Sequence, residues 1–194
     1  MVYQPAVDGL KNFVREIHRS PKPIDGKKGE DGGSEVEVTI VFNNEELRRH
    51  RLLNGIYEIV RSYLYGRVKD IETFVIMADS GSDNVNGLQF SRIYSGHHNL
   101  EEDTIHGDQE DGLAPHRVRY YADDYSHPII FINTSNHAMA EHDTNPDLWK
   151  WEYVPWLDDR PFALGKLSRE EVNKSYKSLF KKASDRFEGD GQIR

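Results

Sequence analysis

The sequence predicts an α/β fold, with α+β as the alternative, in which helices pack on a layered mixed sheet of about five to six strands. Two strand-like segments carry this prediction. Residues 35–42 (EVEVTIVF) alternate between apolar and polar side chains, and residues 74–78 (FVIMA) are apolar throughout. An amphipathic, helix-like segment lies between them. A strand, a helix and a strand in this order predict a right-handed crossover connection.

The N-terminal part of the chain predicts a helix on a tether. Four apolar side chains have helical spacing: Leu10, Phe13, Val14 and Ile17. We therefore expect an amphipathic N-terminal helix over residues 1–19, packed on its own domain or on a neighbouring subunit. Residues 20–34 are rich in glycine, proline and charge, which is typical of a flexible linker. A single α/β domain over residues 35–188 and a disordered tail over residues 189–194 complete the expected organisation.

Further strand patterns follow the two strongest ones. The first strand is expected to bury Val36, Val38, Ile40 and Phe42 on one face. Weaker patterns lie at residues 88–94 and 117–121, and a stronger one at residues 128–132. Because no helix-like segment separates these patterns, part of the sheet is expected to be antiparallel.

Two helices follow from capping signals and periodicity. Asn43 or Asn44 can cap the first, and Gly66 can end it in the left-handed conformation. Its expected buried stripe is Leu53, Ile56, Tyr57, Val60, Tyr63 and Leu64. Residues 168–171 (SREE) have the form of a capping box, and helical apolar spacing continues from there to Phe187.

Composition restricts the function. The formal net charge is −8 and the pI is about 5.6, so nucleic acid is not expected as the main partner, because phosphate backbones are bound by clustered Lys and Arg. No cysteine is present, so any metal would be held by His, Asp, Glu or carbonyl oxygen. No apolar stretch has the length of a signal peptide or a membrane span, so we expect no membrane partner and a cytoplasmic location.

Histidine is unevenly distributed along the chain. Seven of the nine histidines lie within 46 residues. They are His97, His98, His106, His116, His127, His137 and His142. Neutral imidazole ligates metals and changes its charge near physiological pH, so this clustering predicts metal binding, proton transfer or a pH-dependent contact.

The strongest candidate site follows the strand pattern at residues 128–132, because ligands gather at the carboxyl ends of strands in open α/β sheets. If the next residues form a helical turn, His137 and Glu141 share a face and can ligate one divalent cation, zinc or manganese. His142 joins them as a third ligand if that turn ends first, and Asp143 is a further ligand or a catalytic group. The alternative is that these side chains cap helices and hydrogen-bond the backbone.

Two other segments are expected to complete the site. Asp79 ends the central strand and could act as a base or a ligand, although its glycine-rich surroundings also suit a flexible turn. His97 and His98 lie in an acidic connection, residues 95–115, that is either a lid over the site or disordered. We assign Asp79, His97 and His98 catalytic roles.

Aromatic side chains gather in the segment LWKWEYVPW, residues 148–156. In a strand, Trp149, Trp151 and Tyr153 share a face, whereas in a helix Trp149, Tyr153 and Trp156 do. Such a group fills a core or an oligomer interface, or lines a pocket for a ring or a sugar.

The leading functional hypothesis is a metal-dependent or acid–base hydrolase that acts on a small-molecule substrate. The alternative is a non-catalytic interaction module that forms a homodimer through the N-terminal helix and the tryptophan-rich segment. A histidine-based pH sensor is a third hypothesis.

Overall fold

The computed structural model describes residues 1–8, 11–21, 34–44, 53–67, 69–78, 84–90, 118–121, 125–133, 137–155 and 163–177. Nine strands lie in these ranges: β1 (Val2–Pro5), β2 (Val14–Pro21), β3 (Ser34–Phe42), β4 (Asp70–Ala78), β5 (Val85–Gln89), β6 (Ile130–Ile132), β7 (Met139–Ala140), β8 (Lys150–Tyr153) and β9 (Ala163–Gly165). Two α-helices accompany them: α1 (Asn54–Tyr65) and α2 (Arg169–Tyr176). A short 3-10 helix, Ala6–Asp8, follows β1. The architecture is of the α+β kind.

The strands form two mixed sheets. The first has four strands in the order β7-β6-β1-β8, with β1 parallel to β6 and antiparallel to β8. The second has five strands in the order β5-β4-β3-β2-β9, antiparallel except for the β2–β9 pair. The mixed character of the sheet is thus confirmed, but the expected single sheet of five to six strands is wrong for the described residues.

One hydrophobic cluster contains side chains from both sheets. Its fully buried members include Ile17, Ile40, Phe42, Leu88, Ile130, Ile132 and Met139. A smaller cluster of Val41, Ile71 and Val172, joined by Tyr176, attaches α2 to the second sheet. Val41 lies between Ile40 and Phe42 and so faces the opposite side of β3, which places α2 on the other face of that sheet.

The expected N-terminal helix is wrong, because β1 and β2 occupy this region. The reason is a β-bulge. Val14 pairs with Phe42 and Glu16 pairs with Val41, so Arg15 is an extra residue in β2. The bulge brings Val14 and Ile17 onto the same face, opposite Phe42 and Ile40. In a bulged strand, two side chains on the same face can therefore be three residues apart, which is also the spacing expected on one face of a helix.

The predicted tether, residues 20–34, overlaps two strands at its ends. Residues 20 and 21 belong to β2 and residue 34 to β3, while residues 22–33 lie outside the described ranges. The predicted tail, residues 189–194, and the continuation of the second helix from residue 178 lie outside them too.

Helix α1 is present but differs in its start and its buried face. Its N-cap position, Leu53, makes no side-chain cap. The predicted caps bond elsewhere, since Asn43 donates to the Lys11 carbonyl and Asn44 to the Glu58 carboxylate. Gly66 ends the helix with φ 68°, as predicted. The expected buried stripe is largely exposed, namely Leu53, Ile56, Val60 and Tyr63, while Tyr57 is half-buried and the Leu64 side chain is not among those described.

The connection around α1 is not the expected crossover. Strands β3 and β4 are antiparallel neighbours with nine register pairs, from Ser34–Ala78 to Phe42–Asp70. Of the strand predicted at residues 117–121, the described residues 118–121 form an isolated bridge, Tyr120–Pro128, and the strand predicted at 128–132 contains β6. No helix in the described residues is long and apolar enough to cross a membrane.

Candidate functional site

The first charged pair of interest joins the start of β4 to the segment before β7. The Nδ1 atom of His137 lies 2.8 Å from Oδ2 of Asp70, across 67 residues of sequence. Both residues are buried, with exposed fractions of 4% for His137 and 6% for Asp70. The pair is therefore a tertiary contact that is shielded from solvent.

Two further side chains hold this pair in place. Nη2 of Arg61, on α1, lies 3.2 Å from Oδ1 of Asp70, so each carboxylate oxygen has its own partner. The Phe42 ring stacks on the imidazole with a centroid distance of 3.8 Å and an interplanar angle of 0°. His137 has φ 52°, a left-handed conformation that is uncommon outside glycine. We name Arg61, Asp70, His137 and Phe42 the His137 site.

The electrostatics of the site keep Asp70 ionised. Burial raises the pKa of this carboxyl, but the hydrogen bond and the electrostatic interaction with His137, together with the positive charges of Arg61 and Arg67, lower it by more, so the pKa lies below its ordinary value. An ionised carboxylate only accepts hydrogen bonds, so the proton between the two residues is on Nδ1 of His137. The Nε2 atom is then the basic nitrogen of the neutral ring.

A second buried histidine provides a comparison. His18, on β2, lies with Nε2 2.9 Å from Oε2 of Glu16, and its Nδ1 accepts the Leu167 N–H at 3.4 Å. The other oxygen of Glu16 accepts the Tyr176 hydroxyl. Both nitrogens of His18 are thus engaged. By contrast, within the described part of the chain Asp70 is the one residue hydrogen-bonded to His137, through Nδ1.

The structure brings two of the three predicted metal ligands into contact and places the third elsewhere. The helical turn is not formed, because Met139 and Ala140 pair with β6 as β7. Oε1 of Glu141 lies 3.1 Å from Nδ1 of His142, so these two side chains do meet, while His137 contacts Asp70. Among the residues that the structure describes, no three His, Asp or Glu side chains are grouped as metal ligands.

The predicted catalytic residues are in part outside the described ranges. This applies to Asp79, His97 and His98. Asp143 is described and stabilises a turn. Its Oδ2 forms an ion pair with Nζ of Lys150 at 2.6 Å, and its Oδ1 accepts the Asn145 N–H at 2.9 Å.

Asn133 is a buried residue of this region that the sequence did not single out. Its N–H donates to the Ala138 carbonyl at 2.7 Å, and its side-chain oxygen accepts the Thr144 N–H at 3.1 Å. Its amide nitrogen also donates to the His142 carbonyl at 3.4 Å. Asn133 therefore fixes both ends of the segment that carries the predicted ligands.

The tryptophan-rich segment forms strand β8 and the turn before it. Trp149 and Trp151 are 89% and 54% exposed, whereas Tyr153 is buried and Trp156 lies outside the described residues. The two exposed tryptophans therefore do not fill the core of this chain.

Asp70, Arg61 and Phe42 were not predicted as site residues. The available sequence signals were weak: an aspartate at the start of an apolar strand and an arginine within an amphipathic helix. No family model matches the chain, and neither the curated proteins nor the solved structures compared with it give a match.

Proposed function

We propose that the chain is an acid–base enzyme, most simply a hydrolase of a small-molecule substrate, in which His137 is the general base. The observation that supports this proposal is the 2.8 Å contact between Nδ1 of His137 and the buried carboxyl of Asp70, whose lowered pKa favours the ionised form. Such a contact fixes the ring and its tautomer and leaves Nε2 as the proton acceptor.

The proposed reaction is a proton relay at Nε2. Neutral His137 takes a proton from water as the water oxygen attacks an acyl or phosphoryl centre, and the imidazolium then returns that proton to the leaving group. Asp70 stabilises the imidazolium that forms between these steps, in surroundings where charges interact strongly. Arg61 is a positioning residue, since it holds the other oxygen of Asp70.

A metal-dependent version of the proposal uses the same nitrogen. A zinc or manganese ligand often donates its other ring N–H to a carboxylate, and Asp70 would have this role for His137. Glu141 and His142, which contact one another, are the other proposed ligands, with Asp143 beside them. The acid–base version is favoured because it uses the contact between His137 and Asp70 that the structure describes, whereas among the described residues His137 does not contact the other proposed ligands.

The test uses p-nitrophenyl acetate and p-nitrophenyl phosphate as probes. His137→Asn is the main variant, because asparagine tolerates the left-handed backbone. We expect it to lower the rate by about 10²- to 10⁴-fold, the usual contribution of a general base. His127→Asn is the matched control, since His127 bonds Ser126 and is not a residue of the His137 site. Its rate should equal that of the parent protein.

Two outcomes would contradict the proposal. One is that the parent protein hydrolyses neither ester faster than buffer, and the other is that His137→Asn retains the parent rate. Nitrogen NMR of the labelled histidines gives a readout besides activity: Nε2 of His137 should carry no proton in the neutral ring. Loss of the rate on chelation, with recovery on adding zinc or manganese, would select the metal-dependent version.

Self-association is a second candidate function, and a specific observation favours it. Helix α1 exposes Leu53, Ile56, Ile59, Val60 and Tyr63. Single exposed apolar residues are ordinary, but several on one short helix are typical of an interface. Two copies of such a face can pack about a two-fold axis. Light scattering of the parent protein and of Ile59→Lys tests this: a dimer that the variant abolishes supports it, and a monomeric parent contradicts it.

A further inference from the structure

A pocket of about 580 Å³ lies beside the first sheet, away from the His137 site. Six of the residues that line it carry the argument: Tyr3, Arg119, Phe131, Asp147, Trp149 and Glu152. The volume is within the range of about 300–1,000 Å³ that is usual for small-molecule sites. None of these residues belongs to the proposed acid–base machinery.

Aromatic rings form the apolar part of this pocket. Tyr3 of β1 and Phe131 of β6 are register partners, so their side chains share a face of the sheet. Their rings stack with centroids 5.6 Å apart and an interplanar angle of 17°. Trp149 adds an indole that is 89% exposed. Phe131 is already buried, so a ligand with a flat apolar face would remove from water mainly the Trp149 indole and the half-buried Tyr3 ring.

The backbone that carries Trp149 is held firmly. The Trp149 carbonyl accepts the Ala6 N–H at 2.7 Å, next to the end of β1. Nζ of Lys150 bonds Asp143 at 2.6 Å and the carbonyls of Asn145 and Leu148 at 2.8 and 3.1 Å. Because the backbone is held, binding a ligand would order the indole side chain but would not have to order the main chain as well.

The charges around the rings have mixed sign. The Arg119 guanidinium lies 5.8 Å from the Phe131 ring centroid, and Asp147 and Glu152 are exposed carboxylates. Burial and the neighbouring Glu152 raise the pKa of Tyr3, so its hydroxyl stays protonated at neutral pH. The three donors of Lys150 are all used within the chain. An anionic ligand would therefore meet two carboxylates for one available guanidinium.

From these contacts we infer that the pocket is a binding site for a neutral carbohydrate, with a pyranose ring stacked on Trp149. The C–H face of a pyranose is apolar and flat enough to cover an indole. Its hydroxyl groups both donate and accept hydrogen bonds, so they can donate to Asp147 and Glu152 and accept from Arg119. A pocket rim that carries both positive and negative charges suits a neutral ligand with hydroxyl groups better than it suits a cation or an anion.

The test measures binding of three neutral hexasaccharides: cellohexaose, maltohexaose and chitohexaose. Isothermal titration is used with the full chain, and adenosine monophosphate is the anionic comparison probe. We expect at least one hexasaccharide to bind, and Trp149→Ala to weaken that binding by about tenfold or more, as for a central aromatic contact. Arg119→Ala should weaken it by a smaller factor.

Trp151→Ala is the matched control, because Trp151, on β8, is also an exposed tryptophan but does not line the pocket. It should leave binding unchanged. The inference is overturned if no hexasaccharide binds at millimolar concentration, or if both tryptophan variants weaken binding equally. Binding of adenosine monophosphate alone, lost in Trp149→Ala, would also overturn it, since it would identify an anionic ring as the ligand. None of these outcomes depends on hydrolytic activity.

Discussion

Replacing Asp70 by asparagine should destabilise the fold strongly. Asp70 accepts from Arg61 at Oδ1 and from His137 at Oδ2, and all three residues are at most 6% exposed. Asparagine keeps one oxygen acceptor and replaces the other by an N–H₂ donor. That donor would have to face either the Arg61 guanidinium or the His137 N–H. The Arg61 charge also loses its compensating carboxylate. Removing one partner of a buried ion pair costs about 3–5 kcal/mol, and we expect a loss in this range.

Urea unfolding at neutral pH measures this loss as the difference in free energy of unfolding. Glu170→Gln is the matched control, because Glu170 and Lys174 also form a close ion pair, at 2.6 Å, but with side chains 78% and 67% exposed. Exposed pairs contribute little, so this change should be near the error of measurement. A loss in Asp70→Asn of under about 1 kcal/mol would refute the reasoning, since the buried carboxylate would then not compensate Arg61.

A second check is the pH dependence of the difference in free energy of unfolding between the parent protein and Asp70→Asn. The pKa of Asp70 lies below its ordinary value of 3.8, because the hydrogen bond from His137 and the nearby cations outweigh burial. A group with a lowered folded-state pKa stabilises the fold above its ordinary pKa, and this contribution is lost as pH falls through the folded value. The difference between parent and variant should therefore be constant above about pH 4 and decrease below it. A difference that is unchanged in acid would contradict the assignment.

The remaining predictions concern the packing around Glu16 and α1. A Cβ atom on Gly165 would lie 2.1 Å from Nδ1 of His18, so Gly165→Ala should destabilise the fold by about 1–3 kcal/mol in urea unfolding. Gly55→Ala is its control: nothing lies within 4 Å of the added methyl group, and in a helix the change should stabilise by about 0.5–1 kcal/mol. Burial and the bond to Glu16 raise the pKa of Tyr176 to about 12, so its stabilising effect is present below pH 10 and is lost as pH rises to about 12. In an ultraviolet titration of the folded protein, Tyr176→Phe should remove one late-ionising tyrosine, and an unchanged titration would contradict this.

Local signals in the sequence predicted local structure well. The alternation of residues 35–42 gave β3, and the SREE capping box gave the start of α2, with Ser168 and Glu171 bonded reciprocally. Gly66 ends α1 in the left-handed conformation for which glycine is suited. Each of these features is determined by neighbours in the chain, which is why one sequence was sufficient to predict it.

Predictions that depended on tertiary contacts were less successful. Val14 and Ile17 have the spacing of a helical stripe, but the bulge at Arg15 gives a strand the same spacing. The amphipathic pattern of α1 was correct as a pattern, yet it could not indicate whether another element covers Ile56 and its neighbours. Likewise, the order of strand, helix and strand does not determine strand direction, and β3 and β4 are antiparallel.

The candidate site, too, was predicted only where a local sequence signal was present. The uneven distribution of histidine indicated His137, but its partner Asp70 is 67 residues away and has only a weak sequence signal. The expectation that ligands gather at the carboxyl ends of strands did not indicate Asp70, because Asp70 lies at the start of β4. Histidine content therefore located one residue of the site, and only the fold supplied its partner.

The comparison of the two buried histidines is the strongest argument for treating the His137 site as functional. His18 and His137 each pair with a carboxylate, so the pairing alone does not distinguish a structural histidine from a catalytic one. His18 has both nitrogens bonded, which is what a purely structural role requires. His137 is instead held by Asp70 and the Phe42 ring in a left-handed backbone conformation, which is costly and persists only where the surroundings enforce it. The described residues hold this ring through Nδ1 and the Phe42 stack, and this is why we place the proposed proton transfer at His137.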